Sequence, residues 1–311
     1  MAHFDPNMRM RTLMRGMLLT TGFREIRECR SLDAIVTVLE TDAIDLLLID
    51  IDTDTDEICK IVRDIREGTL GPDPYIVIMA MTWRPEQDMI ARALQTGTDD
   101  LIAKPISTKV LAERTHNLVH KRRDFVVTTT YVGPDRRGPE RRIPGDLPTI
   151  KVPNSLRFKA TGDPEAVADV GALAATREVV KSHKVYRLSA EIRDKTLALE
   201  EGITGTTRAK IPGADLKELV GKVAEINRLI ESEDLTQLEP IGHSMTNVVN
   251  SIVDVGRASK RLLAVLRLHS QAIAATVKDD KSAAELVTNA LGRAVKVVQA
   301  VNKAPPKPAA A

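Results

Sequence analysis

The sequence predicts a doubly wound α/β domain of five parallel strands, followed by an all-α helical bundle or coiled-coil domain. Three observations carry this. The first 120 residues alternate short apolar runs with amphipathic stripes at helical spacing. The next forty are rich in proline, glycine and paired arginine. From Pro240 the apolar residues recur at alternating spacings of four and three. Charge divides the chain at similar points: 14 Lys/Arg against 20 Asp/Glu in residues 1–120, 7 against 3 in 121–142, and 24 against 20 in 143–311. An acidic first part, a basic middle and a mildly basic remainder indicate separate units.

Ala2-His3-Phe4 is a minimal first strand. Asn7 to Thr21 carries a helical stripe of Met10, Leu13, Met14, Met17 and Leu18, and Gly22 stops it. Ile26 to Cys29 reads as a short strand, and Ser31 caps a helix with Ile35, Val38 and Leu39 inside. Leu46 to Ile49 is a continuous apolar run, as expected of a strand covered on both faces. Ile58, Ile61, Val62 and Ile65 mark the next helix, and Tyr75 to Met81 is the longest strand candidate. Pro85 suits a helix start, with Met89, Ile90, Ala93 and Leu94 as its stripe and Gly97 at its end. Leu101 to Ala103 is the last strand. Ser107 then caps a helix with Val110, Leu111, Leu118 and Val119 inside.

Short connections and right-handed crossovers turn this series into a parallel sheet whose sites form at the carboxyl ends of the strands. Asp50, Thr82 and Lys104 fall at three such ends. Asp50 also opens an unusual run, "DIDTDTDE", in which like charges crowd and must be offset by a cation, a lysine or solvent.

Residues 124–162 read as a Pro/Gly/Arg-rich linker, 163–303 as a helical output or dimerisation domain, and 304–311, "APPKPAAA", as a disordered tail. Asp163-Pro164-Glu165 begins a helix running to about Glu201. "GITGTTRAKIPGAD" is a loop, and Leu216 to Ile230 is amphipathic. The seam Ile241, Met245, Val248, Ile252, Val255, Ser259, Leu262, Leu266, His269, Ile273 predicts one helix of over 30 residues, returning through a helix over 282–302. A stripe this long needs a cover, so the expectation is a homodimer through these helices.

Three motifs lie in order on three strand ends: "LLLID" ending at Asp50, "IVIMAMT" ending at Thr82, and "AKP" with Lys104-Pro105. With the helices between them, residues 4–120 resemble a response-regulator receiver domain of two-component signalling, a flavodoxin-like fold. The resemblance implies that Asp50 is the phosphoacceptor, that Lys104 pairs with it and then with the phosphoryl oxygens, and that the Thr82 hydroxyl turns toward the phosphoryl group. It implies a Mg2+ held by Asp5, Asp50 and the backbone carbonyl of Asp52, and a histidine kinase or phosphotransfer protein as partner. The chain departs from the family where Pro6 stands for a second acid, Trp83 for a small residue and Leu101 for a switching Tyr or Phe. Asp54, Asp56 and Glu57 fall where a helix N-terminus favours acids. "FVVTTTYVGPDRR" resembles a tail that follows some bacterial receivers.

The function expected is phosphorelay signalling through a helical output domain, the alternative being a phosphorylation-independent scaffold with a degenerate receiver. Neither is an enzyme beyond the receiver's own phosphoryl transfer. His243 lacks the neighbours of a helical phosphotransfer site, and His183 and His269 have no ligand partners at useful spacing. Arg137 and Arg141 form an R-x-x-x-R pattern read as solvated linker, and Cys29 and Cys59 as small buried hydrophobes. No apolar run approaches the ~20 residues of a membrane span, and the start of the chain lacks a secretory core, so a cytoplasmic location is expected. The long output helices do not suit a DNA-reading helix-turn-helix.

Overall fold

The computed structural model describes residues 1–137, 147–203, 209–231, 233–279, 289, 291 and 292. The chain divides into two compact units, Met1–Val180 and Lys181–Ala311. Among the described residues no helix is long and apolar enough to cross a membrane.

The first unit is built on a parallel sheet ordered β2-β1-β3-β4-β5. Its strands are β1 (Ala2–Phe4), β2 (Arg27–Cys29), β3 (Leu46–Asp50), β4 (Val77–Thr82) and β5 (Asp100–Ala103). The connecting helices are α1 (Met8–Thr20), α2 (Leu32–Thr41), α3 (Thr55–Glu67), α4 (Gln87–Gln95) and α5 (Thr108–His120). The apolar run of β3 divides between the two layers, as alternation along a strand requires. Leu47 and Ile49 pack with Ile35, Leu39, Ile58 and Ile61, whereas Leu46 and Leu48 pack with Met14, Leu18, Leu111 and Leu118. Four helices start on a polar side chain that accepts a backbone N–H: Asn7 for α1, Ser31 for α2, Asp54 for α3 and Ser107 for α5. The helix expected from Pro85 begins at Gln87, with Glu86 at the cap position making no side-chain bond.

The structure differs from expectation over 124–162. Phe125–Val127 (β6) and Val132–Pro134 (β7) form an antiparallel hairpin, and Ser155–Thr161 is a helix, α6. Fully buried Phe125 meets Tyr75 edge-on at 6.2 Å and lies 5.2 Å from the Arg66 guanidinium and 5.1 Å from that of Arg122. Asp99 pairs with both arginines, at 2.8 Å and 2.7 Å, and also accepts the Ile78 N–H. A turn-rich, basic stretch reads as solvated because nothing local shows that Arg122, at its start, finds a buried acid twenty-three residues back.

The "VGPDRR" stretch acquires a structural meaning here. Gly97 has φ +99°, and a Cβ on it would lie 2.5 Å from the Val132 carbonyl oxygen; a Cβ on Gly133 would lie 2.7 Å from Gly97 Cα. The two glycines let the hairpin seat on the turn between α4 and β5. Arg136 then donates to the carbonyls of Thr98 and Asp99, while buried Asp135 holds Arg137 at 2.9 Å. Arg141 lies outside the described residues.

In the second unit, α7 (Val170–Glu201) contributes Val185, Leu188 and Ile192 to a core shared with α8 (Gly213–Ile230), α9 (Glu239–Val255) and α10 (Lys260–Val277). A single helix from Pro240 does not form. Gly256, at φ 62°, closes α9, and Ser259 caps α10 by accepting the Leu262 N–H. Between them Arg257–Ala258 (β9) pairs antiparallel with Ala209–Lys210 (β8), part of the stretch read as a loop. The heptad spacing survives the break, so spacing alone concealed it. The seam residues Met245, Val248, Ile252, Leu262, Leu266 and Ile273 are buried against α7 and α8 of the same chain. The stripe thus has its cover, and the reason for expecting a homodimer through it falls away. Of the return helix over 282–302 only Asn289, Leu291 and Gly292 are described, and Leu291 joins this core. Residues 304–311 lie outside the described residues.

Candidate functional site

The register of the sheet assembles the site. Phe4 stands opposite Ile49, Asp50 opposite Met81, and Thr82 opposite Ala103. Backbone bonds continue the ladder beyond the strands, from Ile51 N–H to the Met81 carbonyl at 3.0 Å and from Lys104 N–H to the Thr82 carbonyl at 2.7 Å. Asp5, Asp50, Thr82 and Lys104 therefore meet at one carboxyl edge.

The Lys104 ammonium donates to Asp5 Oδ2 at 2.8 Å and to Asp50 Oδ2. All three groups are buried, at 1% exposure for Asp5, 3% for Asp50 and 6% for Lys104. Burial pushes the Asp50 carboxyl above its ordinary value; the Lys104 hydrogen bond and charge oppose that, and the charges of Asp5 and Asp52 add to it. Asp50 Oδ1 accepts the Asp52 N–H at 3.1 Å and the Thr53 hydroxyl at 3.2 Å. Trp83, half exposed, places its ring 5.5 Å from the Lys104 ammonium at the mouth of the site.

Asp52 has a role that its spacing did not show. Its carboxylate accepts the Thr82 hydroxyl and the Trp83 N–H, each at 2.6 Å. The Thr82 oxygen in turn accepts the Arg84 N–H at 2.9 Å, and the Arg84 side chain lies 3.8 Å from Asp52 Oδ1. The Thr82 hydroxyl is therefore committed to Asp52, not to Asp50. The acidic run resolves into separate partnerships. Asp50 has Lys104, Asp52 has Thr82 and Arg84, Asp54 caps α3, exposed Asp56 meets Arg92, and Glu57 lies 3.5 Å from Lys60.

Sequence reasoning also missed Arg11 and Asn7. Arg11, nearly buried, donates to the carbonyls of Asp5 and Pro6 at 2.7 and 3.0 Å, and the Asn7 N–H bonds Asp5 Oδ1 at 2.8 Å. Both fix the short loop carrying Asp5. The spacing of Arg11, six residues on within an amphipathic helix, gives no sign of this.

The donors at this edge are hard oxygens: the carboxylates of Asp5 and Asp50 and the carbonyl of Asp52. Among the described residues no group of three or more His, Cys, Asp or Glu side chains is placed to hold a metal. Two carboxylates fit a Mg2+ that keeps most of its water, which is how that ion commonly binds, and Pro6 removes the third.

Residues 4–116 match the family model described as "Response regulator receiver domain". Similar solved structures include a response regulator from Thermotoga maritima, 22% identical, with 38% of this chain and 93% of that chain covered and a TM-score of 0.34. A response regulator protein from Burkholderia pseudomallei, with a phosphorylated aspartic acid, calcium ion and citrate, is 15% identical over 35% of this chain and 62% of that one, at a TM-score of 0.32. An orphan response regulator of H. pylori is 24% identical over 37% of this chain and 93% of that one, at a TM-score of 0.32. No curated protein matches the chain. Over residues 4–116, about a third of its length, the chain carries a response-regulator receiver domain, a module of two-component phosphorelay signalling.

Proposed function

We propose that the receiver accepts a phosphoryl group on Asp50 from a histidine kinase or phosphotransfer protein in the cytoplasm, and that this regulates the helical second unit. The observation that supports it most is the buried Lys104 ammonium bridging Asp5 and Asp50 at the carboxyl edge. In the transfer, a carboxylate oxygen of Asp50 forms a bond to phosphorus as the bond from phosphorus to the donor breaks, and the donor leaves with that electron pair. Asp50 must be ionised for this. Burial disfavours the ionised form and Lys104 opposes that effect. As charge moves onto the phosphoryl oxygens, Lys104 is the cation within reach to balance it.

A Mg2+ held by Asp5, Asp50 and the Asp52 carbonyl would supply further charge neutralisation. Thr82 reaches the phosphoryl group only after its hydroxyl leaves Asp52, so Asp52 sets the resting state. Phosphorylation then acts by favouring one of two arrangements. Acetyl phosphate with Mg2+ should add one phosphoryl group per chain, and Asp50→Asn should abolish it. Absence of labelling in the unaltered protein at high Mg2+ would overturn the proposal.

A second reading, a scaffold that works without phosphorylation, is favoured by Pro6 in place of an acid and by the commitment of Thr82 to Asp52. The same labelling experiment separates the two.

A further inference from the structure

Helix α5 carries His116 and His120 one turn apart, the spacing that stacks two side chains on one helix face. Their ring centroids lie 4.4 Å apart, with the planes tilted by 46°. Both residues are exposed. They line a cavity of about 690 Å3 at the amino-terminal edge of the sheet, opposite to the edge that holds Asp50.

Two further observations bear on what this cavity takes. The Thr115 hydroxyl lines it, is buried, and has no hydrogen-bond partner, which marks a polar interior suited to water or a ligand. Of the charged groups on its wall, Lys159 is met by Asp45 at 2.8 Å, Arg24 and Glu25 carry opposite signs, and the Met1 ammonium donates to the Glu25 carbonyl at 3.1 Å.

Two imidazoles at i and i+4 are the pair that helical zinc sites use. Without carboxylate or thiolate, neutral imidazole nitrogens select borderline transition ions over Mg2+ or Ca2+. Among the described residues no third His, Cys, Asp or Glu side chain completes a cluster. Water would fill the remaining positions, and affinity would fall in the micromolar range rather than that of a closed structural site. We propose that His116 and His120 bind one divalent transition ion of the Zn2+ class at the amino-terminal edge of the receiver.

The experiment titrates the full-length protein, stripped of metal with a chelator, with ZnCl2 in a calorimeter near neutral pH. The expected result is one equivalent bound at micromolar affinity in the unaltered protein. His116→Gln and His120→Gln should each weaken it at least tenfold, and His243→Gln should leave it unchanged. Both altered positions are exposed, so the variants should melt at the temperature of the unaltered protein without metal. Zn2+ should raise the midpoint only where both histidines are present. Asp50→Asn should keep the site, which separates it from the acidic pocket. No binding, or binding that survives both single substitutions, would overturn the proposal.

Discussion

Removing the Asp52 carboxylate should release the Thr82 hydroxyl and make Asp50 a better phosphoryl site. In the resting protein that hydroxyl donates to Asp52 Oδ1 at 2.6 Å. A hydrogen bond to a charged acceptor contributes about 1.5–3 kcal/mol. At ~2 kcal/mol the freed rotamer is suppressed roughly 30-fold, since each 1.4 kcal/mol is a factor of ten. Asp52→Ala lifts this suppression and also removes a negative charge near the phosphoryl group, so both effects tighten binding of a phosphoryl mimic. A double-mutant cycle with Thr82→Ala separates them. The charge effect persists without the threonine, whereas the release of the hydroxyl does not. The assay is beryllofluoride binding in the presence of Mg2+, read from the fluorescence of Trp83, whose N–H also bonds Asp52 at 2.6 Å. The expected result is tightening of about tenfold or more in Asp52→Ala, with a coupling to Thr82 on the order of 1–2 kcal/mol. A coupling indistinguishable from zero would show that the hydrogen bond does not restrain Thr82, and would refute the reasoning even if the single variant bound more tightly.

Pro6→Asp should tighten Mg2+ binding several-fold by adding a carboxylate beside Asp5 and Asp50, measured by the same fluorescence as Mg2+ is titrated. Gly97→Ala should lower stability by at least about 2 kcal/mol, because it combines a positive φ with a Cβ 2.5 Å from the Val132 carbonyl oxygen. Gly16→Ala, where a Cβ meets nothing within 4 Å, should be neutral or slightly stabilising in the same urea titration. His269 makes the stability of the second unit depend on pH. Its Nδ1 faces the Val265 carbonyl at 2.7 Å and its Nε2 the Ser244 hydroxyl at 2.8 Å, and burial pulls its pKa from 6.5 down to about 4. The unfolded chain binds a proton near 6.5 and the folded chain does not, so stability is full above 6.5 and falls by up to about 3 kcal/mol as pH drops toward 4. Urea titrations of the unaltered protein and His269→Gln across that window should show a smaller slope in the variant, in which buried His3 still contributes one of the same sign.

The sequence by itself determined the sheet and the edge on which the site sits. Those features rest on short-range chemistry: the continuous apolar run Leu46–Ile49, caps at Ser31 and Ser107, and stops at Gly22 and Gly97. Parallel pairing with right-handed crossovers then leaves little choice of where Asp50, Thr82 and Lys104 go. What only the tertiary structure decided was which partner each polar group takes. Asp52 and Thr82 are thirty residues apart and Asp99 and Arg66 thirty-three, and no local pattern records such a pair. The same holds for the hairpin after α5, whose arginines and turn residues look solvated until Asp99, Gly97 and Phe125 are brought around them. In the second unit the heptad spacing identified the buried side of α9 and α10 but not the break at Gly256. A two-residue strand and a new cap restart the helix with its apolar face still inward. Periodicity reports which face of a helix avoids water. It does not report what covers that face, because α7 and α8 of the same chain exclude water from it just as a second copy would.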